Sequence, residues 1–209
     1  MRARIGLFSW YVLVLLALVN GVFAMRYLLP RAPLPALLPN VDSHRVLLTV
    51  HASSAGVAIA LGPFLIASGF QRRWRSVHRK AGWLYSIAVF ASGIVAIPLA
   101  LHAAFGAIAG AGFFILAVLW ITVTAIAVRM AAKRRFDRHR SWMLRSYALT
   151  AAAITLRLLL PASSLLGVSA GLSYRTAAWM CWLINLTFIE IYLLLRPVHP
   201  LQPSRDLVT

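Results

Sequence analysis

Six apolar segments constrain the fold of this chain more than any other feature of its sequence. Each has about the 20 residues that a helix rising 1.5 Å per residue needs to cross roughly 30 Å of hydrocarbon. The connections between the segments are too short to form a soluble domain. We therefore expect an all-α protein, a polytopic transmembrane helix bundle whose six spans lie near 5–25, 46–70, 81–102, 107–130, 143–166 and 177–195.

The composition supports a membrane protein and raises the question of the positive charge. Apolar residues make up 61% of the chain and charged residues 12%, far from the balance of a soluble domain. The 21 Lys and Arg residues outnumber the 4 Asp and Glu residues, which gives a net charge of +17. In a soluble protein such an excess would suggest nucleic acid. Here the basic residues are explained by topology, so we predict the lipid bilayer as a partner and no nucleic acid.

The distribution of the basic residues predicts the orientation. If the N-terminus is cytoplasmic, nearly all Lys and Arg residues lie on the cytoplasmic side, as the positive-inside rule requires. Arg157 lies within a span, and the basic residues left outside are Arg26, Arg31, Arg45 and Arg175. We predict a multi-pass protein of the bacterial inner membrane with both termini in the cytoplasm.

The chain divides into three parts. Residues 1–45 hold the first span and a Pro-rich outer loop, and this span also resembles a signal peptide because Arg2 and Arg4 precede its apolar stretch. Residues 46–166 form a four-helix membrane domain, and residues 167–209 form the last span and a cytoplasmic tail. The orientation of the later spans is the same whether or not the first span is cleaved.

An internal repeat predicts how the four-helix domain is built. The blocks RRWRSVHRKAGWLY and RRFDRHRSWMLRSY each follow one span and open the next. They align His78 with His139 and bring Tyr85 close to the position of Tyr147. Spans two and three and spans four and five therefore represent two hairpins in the same orientation, related by a pseudo-twofold axis along the membrane normal. Two such hairpins close into a four-helix bundle.

Small and polar residues share one face on three of these spans. At 100° per residue such a face packs against other helices and not against lipid. We therefore expect the polar side chains to point inward. The faces consist of His51, Ala55, Ala58, Gly62 and Gly69 on span two, His78, Tyr85, Ser92 and Ala96 on span three, and His139, Ser146, Thr150, Ala153 and Arg157 on span five.

Ionisable groups within the spans define a candidate internal polar site of His51, Tyr147, Arg157 and Glu190. A guanidinium within a span is costly unless it pairs, faces a cavity or reaches an interface. Arg157 therefore either snorkels to the outer headgroups or clamps an anionic group, with Asn185 as its expected protein partner. Glu190 is either a neutral, hydrogen-bonded structural acid or a proton-carrying residue.

The histidines allow a second kind of site. His78 and His139 are candidate axial ligands of a haem b iron, with His51 as a third candidate and nearby arginines as partners of the propionates. The alternatives are that these histidines are ordinary interfacial residues, or that the arginine clusters bind anionic lipid headgroups at the cytoplasmic face. Cys181 is the one cysteine, which excludes an intrachain disulfide and a Cys-based metal site, and the few acids argue against other metal sites.

Several motifs of this chain resemble a known family. They are His51, Gly62-Pro63-Phe64, His78-Arg79-x-x-Gly82-x-x-Tyr85 and the run HRSWMLRSYALTAAAITLRLLLP from His139 to Pro161. Together they resemble a bacterial family of predicted integral membrane proteins classed as a domain of unknown function. The resemblance implies that residues 46–166 are the domain and that His51, His78, His139, Tyr147 and Arg157 stand at its motif positions. It implies no activity.

Three functions follow as hypotheses. The first is a non-enzymatic membrane protein: a partner subunit, an assembly factor or a lipid-interacting factor, alone or as a homo-oligomer. The second is a haem-b electron carrier with histidine ligands. The third is a small-solute or proton-coupled transporter that uses Arg157 and Glu190. Whether the protein is an enzyme stays open, because the sequence carries no metalloprotease, phosphate-binding or dinucleotide-binding motif.

Overall fold

The computed structural model describes residues 2–29, 44–69 and 71–195, with side chains from Leu7 onward. Six helical segments of this part of the chain are long and apolar enough to cross a membrane, which confirms the predicted fold class. The α-helices are α1 (Arg2–Met25), α2 (Arg45–Ser68), α3 (Arg75–Leu101), α4 (Ala107–Ala132), α5 (Phe136–Thr150), α6 (Ala152–Leu165) and α7 (Ala170–Leu195). The predicted Pro-rich loop and C-terminal tail lie outside the described residues.

The helices extend further into the basic connections than the sequence predicts. We expected loops up to Lys80 and Trp142, but α3 begins at Arg75 and α5 begins at Phe136. Arg and Lys are good helix formers, so a basic segment next to a span continues its helix at little cost. The connection between α4 and α5 is reduced to a tight turn, in which Arg134 adopts a φ of 56°.

Helices α2, α3, α4 and α5 form a ring in which each helix contacts the next and α5 contacts α2. This is the four-helix arrangement that two hairpins in the same orientation predict. Helix α1 packs outside the ring against α2 and α6, and α7 packs against α4, α5 and α6. We call the end that carries the α2–α3 and α4–α5 connections the basic end, and the opposite end the far end.

Glycines allow the helices to approach closely. A Cβ on Gly21 of α1 would lie 3.0 Å from the Gly56 oxygen of α2. A Cβ on Gly110 would lie 2.7 Å from the Ala100 oxygen, and one on Gly112 would lie 2.9 Å from the Ala178 oxygen. In a bilayer such backbone proximity supplies the van der Waals contact that replaces a hydrophobic driving force. Three helix pairs are therefore packed around positions that tolerate no side chain.

The fifth span is interrupted at Ala151, between α5 and α6. The Thr150 hydroxyl donates to the Ser146 carbonyl at 2.9 Å, and such back-bonding bends a helix. Asn185 of α7 bridges the break, because its amide nitrogen donates to the Ala148 carbonyl at 3.2 Å. Its carbonyl accepts a hydrogen bond from the Thr155 hydroxyl at 2.9 Å. Asn185 thus stabilises the interruption and is not the partner of Arg157 that we expected.

Candidate functional site

A buried hydrogen-bond network fills the middle of the four-helix ring. The Tyr85 hydroxyl of α3 lies 2.9 Å from the Ser146 hydroxyl and 2.8 Å from the Thr150 hydroxyl, both on α5. From α4, the Trp120 indole donates to Thr150 at 2.9 Å, and the Thr124 hydroxyl lies 2.7 Å from that of Ser146. None of these residues is more than 6% exposed. The inward orientation predicted for Tyr85, Ser146 and Thr150 is confirmed.

The donors of this network run in one direction. Trp120 Nε1 can only donate, and its own carbonyl, which accepts from Thr124 at 2.7 Å, can only accept. If every contact is kept, the Thr124 proton is therefore committed, and Ser146 must donate to Thr124. It follows that Tyr85 donates to Ser146, and that the Thr150 proton is shared between the Tyr85 hydroxyl and the Ser146 carbonyl. The network begins and ends at Trp120 with all of its hydroxyl protons used.

Tyr147 is explained by packing against α2. Pro63 has no N–H, so the carbonyl of Ile59 lacks its usual helical partner. The Tyr147 hydroxyl donates to that carbonyl at 3.3 Å. The ring lies where a side chain at position 62 would be, since a Cβ on Gly62 would lie 1.8 Å from Tyr147 Cε2. The Gly-Pro pair and the distant tyrosine therefore form one structural unit.

Glu190 pairs with Arg145 near the basic end. The guanidinium forms two parallel hydrogen bonds to the carboxylate, from Nε to Oε1 at 2.5 Å and from Nη2 to Oε2 at 2.7 Å. The Arg145 guanidinium also lies over the Trp142 ring, 4.9 Å from its centroid. The structure therefore engages Glu190 with a cation on α5, and Arg145 is a partner that the sequence analysis did not name.

His51 is fixed by Ser92 across the α2–α3 hairpin. Its Nδ1 lies 2.9 Å from the Ser92 hydroxyl and 3.2 Å from the Ser92 carbonyl. The Ser92 hydroxyl donates to the His51 carbonyl at 3.0 Å, so its proton is used and Nδ1 must carry the hydrogen of the ring. Nε2 makes no hydrogen bond to any described residue. His51 therefore presents one uncommitted ring nitrogen in the far half of the bundle.

Arg157 lies on α6 and faces α1. Its Nη1 donates to the Ala153 carbonyl at 3.1 Å, and its guanidinium carbon lies 5.7 Å from the centroid of the Phe23 ring. The guanidinium carbon of Arg26 lies 3.8 Å from the same centroid. Arg157 also lies close enough to His51 for their charges to interact. Arg26 and Arg157 thus share the Phe23 ring in the far half of the bundle, and Arg157 lies within electrostatic range of His51.

The basic end carries most of the exposed positive charge. His78 closes the first hairpin, with Nδ1 at 2.9 Å from the Ser68 hydroxyl, and His139 closes the second, with Nδ1 donating to the Ala127 carbonyl at 2.8 Å. In the described region this end has one exposed carboxylate, that of Asp137. Its exposed basic residues are Arg72, Arg73, Arg75, Arg79, Lys80, Arg129, Lys133, Arg134, Arg135 and Arg138.

The structure does not bring the predicted internal polar site together as one cluster. His51 and Arg157 are neighbours, whereas Tyr147 packs against Gly62 and Glu190 pairs with Arg145. The sequence analysis missed Arg26 because the first span was treated as separate from the domain. Among the described residues, no group of three His, Cys, Asp or Glu side chains could hold a metal ion.

The comparison with protein families covers most of this structure. Residues 48–193 match a family described as "Predicted membrane protein (DUF2306)". The chain belongs to this family. Its DUF2306 region begins in α2, includes the whole four-helix ring and extends through nearly all of α7. No curated protein and no solved structure matches the chain.

The family supports the predicted class of protein. DUF2306 describes an integral membrane protein of unassigned function, and this chain has six segments able to cross a bilayer. The match includes Glu190 and Asn185, which lie beyond the segment that the sequence motifs covered. It excludes all of α1, so Phe23 and Arg26 are contributed from outside the matched region.

Proposed function

We propose that this protein is a non-enzymatic, lipid-interacting protein of the bacterial inner membrane that gathers anionic lipid headgroups at its cytoplasmic face. In this proposal the basic end is cytoplasmic, as are both termini. The observation that carries the proposal is the set of exposed arginines and lysines at this end, faced by a single exposed carboxylate in the described region. His51, Arg157, Tyr147 and Glu190 take no part in it.

The charges at the basic end are close enough to act together. His78 and His139, which mark the two basic connections, lie within electrostatic range of each other. The carboxylate of Glu190 is occupied by Arg145 and does not neutralise the surface. Anions relieve the mutual repulsion among the exposed basic side chains. In a bacterial membrane, anionic lipid headgroups supply such anions at the membrane surface. Each basic residue near such a surface contributes about 1 kcal/mol of attraction.

Exposed aromatic residues support a position of this surface at the level of the headgroups. Trp74 is 38% exposed and packs edge-on against Phe64, with the Arg73 guanidinium over its ring at 5.7 Å. Phe136 is 57% exposed at the start of α5. Amphipathic rings such as that of Trp74 are enriched where the hydrocarbon meets the headgroups. This preference supports the proposal that the neighbouring guanidiniums bind phosphates.

The lipid proposal is tested by removing three exposed charges at the basic end. Arg72, Arg75 and Arg79 are exposed and form no side-chain hydrogen bond with described residues, so changing all three to Gln should leave the fold intact. Brominated phosphatidylglycerol and phosphatidylcholine compete in nanodiscs, and tryptophan quenching reports the preference. We expect the preference for phosphatidylglycerol to fall roughly tenfold or more. The control changes the same residues to Lys, which keeps the charge.

Two results would overturn the proposal. One is an unchanged preference in the Gln variant, and the other is an equal loss in the Gln and Lys variants, which would indicate a specific contact and not a charged surface. Raising the salt concentration should also reduce the wild-type preference, because exposed charges are screened. A phenotype that depends on the basic end without any lipid preference would indicate an acidic partner protein.

The orientation has its own test. Cys181 is fully buried, so an introduced cysteine can be labelled against a low background. An Arg134→Cys variant should react with a membrane-impermeant maleimide only after the cytoplasmic side is opened. A Leu166→Cys variant should react in intact cells from outside, because Leu166 is 81% exposed at the far end. Labelling with the reverse pattern would place the basic end outside and remove the inner leaflet as its partner.

A haem-b electron carrier is the second candidate function, and the orientation of the two basic-end histidines favours it. His78 and His139 each use Nδ1 for a hydrogen bond, which leaves Nε2 of both available. This is the orientation in which a second-shell acceptor holds a metal-bound imidazole. Haem would supply one-electron transfer, and nearby basic residues such as Arg79 and Arg138 could hold its propionates. Expression with haem supplied should then give a Soret band that His139→Ala removes, and its absence would end this candidate.

A further inference from the structure

We propose that Arg26 and Arg157, with His51, form a binding site for the oxyanion head of an anionic amphiphile in the far half of the bundle, within the membrane. The site lies at the far end of the bundle, between α1, α2 and α6. It is separate from the basic end, and this inference does not depend on the proposed function above.

The two guanidiniums share one aromatic ring and have no described counter-charge. Both lie over Phe23, at 3.8 Å and 5.7 Å from the ring centroid. Among the described residues the one ion pair is that of Arg145 with Glu190, so neither Arg26 nor Arg157 has a carboxylate partner there. Two like charges that interact in a medium of low dielectric constant repel each other strongly. An anion between them converts this repulsion into attraction.

Most of the donors of these arginines are unused. Arg157 makes one hydrogen bond to a described residue, through Nη1 to Ala153. Arg26 donates from Nη2 to the Tyr27 hydroxyl at 3.3 Å, and its Nε is buried without a partner. A guanidinium offers a planar set of donors that matches the oxygens of a phosphate or carboxylate. Both guanidiniums therefore have unused N–H donors that can bind the same ligand.

Snorkelling does not explain the orientation of Arg157. Its Cα lies eight residues before the end of α6, roughly 12 Å below the far end at 1.5 Å per residue. A snorkelling side chain would extend toward that end. Instead its Nη1 bonds to Ala153, one turn closer to the centre of the membrane. The side chain thus holds its charge deep in the bilayer, where it needs a ligand.

The opening of the site identifies the source of that ligand. Phe23 is 43% exposed on the outer side of α1, and Arg26 follows at the end of that helix. The ring and both guanidiniums are therefore reached sideways from the lipid phase. An amphiphile can enter with its head on the arginines and its chain along α1, whereas an ion from water would have to leave its hydration shell. The Nε2 of His51, with Nδ1 carrying the hydrogen, can accept a hydrogen bond from a hydroxyl of the head group.

Binding is tested with the purified full chain in neutral nanodiscs at high salt, which screens the exposed basic surface but hardly affects a buried site. Native mass spectrometry counts the bound phosphatidylglycerol, oleate or inorganic phosphate in separate titrations. We expect an amphiphile to bind, and Arg157→Gln or Arg26→Gln to weaken it about tenfold or more through the lost charge-assisted hydrogen bonds. Arg175→Gln is the matched control, because Arg175 lies exposed at the same end and bonds to the Phe105 carbonyl. Tight binding of phosphatidylglycerol points to a phospholipid and tight binding of oleate to a carboxylate.

Stability measurements separate a ligand site from a structural role. Without an anionic amphiphile, Arg157→Gln should unfold at the same temperature as the wild type or higher, because it removes an uncompensated charge. With the amphiphile, the wild type should gain thermal stability and the variant should not. The proposal is overturned if Arg157→Gln binds as tightly as the wild type, if inorganic phosphate binds as well as the amphiphiles, or if the variant is already destabilised without ligand. These results do not depend on the charges at the basic end.

Discussion

The one-way network around Tyr85 predicts an unusual order of mutational effects. Tyr85→Phe breaks two hydrogen bonds, but no buried donor is left unpaired, because the Thr150 hydroxyl can turn to the Ser146 carbonyl at 2.9 Å. Thr150→Val keeps the shape of the side chain, yet it removes the acceptor of the Trp120 indole, which is 6% exposed. A nearly isosteric change should therefore cost more than the loss of the central hydroxyl.

The magnitudes follow from values for buried hydrogen bonds. Interhelical hydrogen bonds in membranes average about 0.6 kcal/mol and reach about 1.7 kcal/mol, so Tyr85→Phe should cost roughly 1–2 kcal/mol. Thr150→Val loses two such bonds and also buries an unpaired N–H, which adds about 1–3 kcal/mol. We expect roughly 2–4 kcal/mol in total. SDS titration from mixed micelles, followed by far-UV circular dichroism, gives the free energy of unfolding of each variant.

A double-mutant cycle tests whether the cost of Thr150→Val arises from the unpaired N–H of the Trp120 indole. Trp120→Phe removes the donor, so adding Thr150→Val to that variant should cost about 1–2 kcal/mol less than it does in the wild type. The donor assignment is wrong if Tyr85→Phe costs as much as Thr150→Val. It is also wrong if the effects of Trp120→Phe and Thr150→Val are additive.

Four further substitutions test the packing and the polar contacts between helices. Gly62→Ala should cost more than about 2 kcal/mol or prevent folding, because the new Cβ meets the Tyr147 ring, whereas Gly82→Ala, with nothing within 4 Å, should be neutral or slightly stabilising. Asn185→Leu should cost about 1–2 kcal/mol, because it leaves the Ala148 carbonyl unpaired at the break in the fifth span. Glu190→Gln should cost about 1 kcal/mol, because Gln keeps one contact to its arginine and loses the charge. The same SDS titration measures all of them.

Each of these predictions has a contradicting outcome. Equal effects at the two glycines would mean that the ring does not occupy the space beside α2. A neutral Asn185→Leu would show that another group pairs with the freed carbonyl. An unchanged free energy of unfolding in Glu190→Gln would show that the charge of this carboxylate does not stabilise its contact with Arg145.

The sequence predicts the fold well because hydrophobic length and small-residue faces are direct consequences of the bilayer. The inward faces of spans three and five contain Tyr85, Ser92, Ser146 and Thr150, and the structure buries all of them. Trp120 and Thr124 were missed because α4 is apolar on every side, so no polar face distinguishes the residues that complete the network.

The contacts of the candidate site were predicted less completely. The sequence shows which residues each helix contains but not which helices pack side by side. Arg145 lies within the predicted fifth span, but the sequence of that span does not show that Arg145 faces Glu190 of the last span. Arg26 belongs to a span outside the recognised domain, and sequence periodicity within one helix cannot show which helix packs beside it.

Each hairpin carries its own histidine tie, from His78 to Ser68 and from His139 to Ala127. Neither tie needs the other half of the molecule, so the insertion machinery can complete the first hairpin before the second leaves the ribosome. The short stretch at 102–106 joins the two hairpins at the far end. A gene cut there would yield two fragments that each enter the bilayer already folded back on themselves, and the hydroxyls around Tyr85 would provide the surface on which they reassemble.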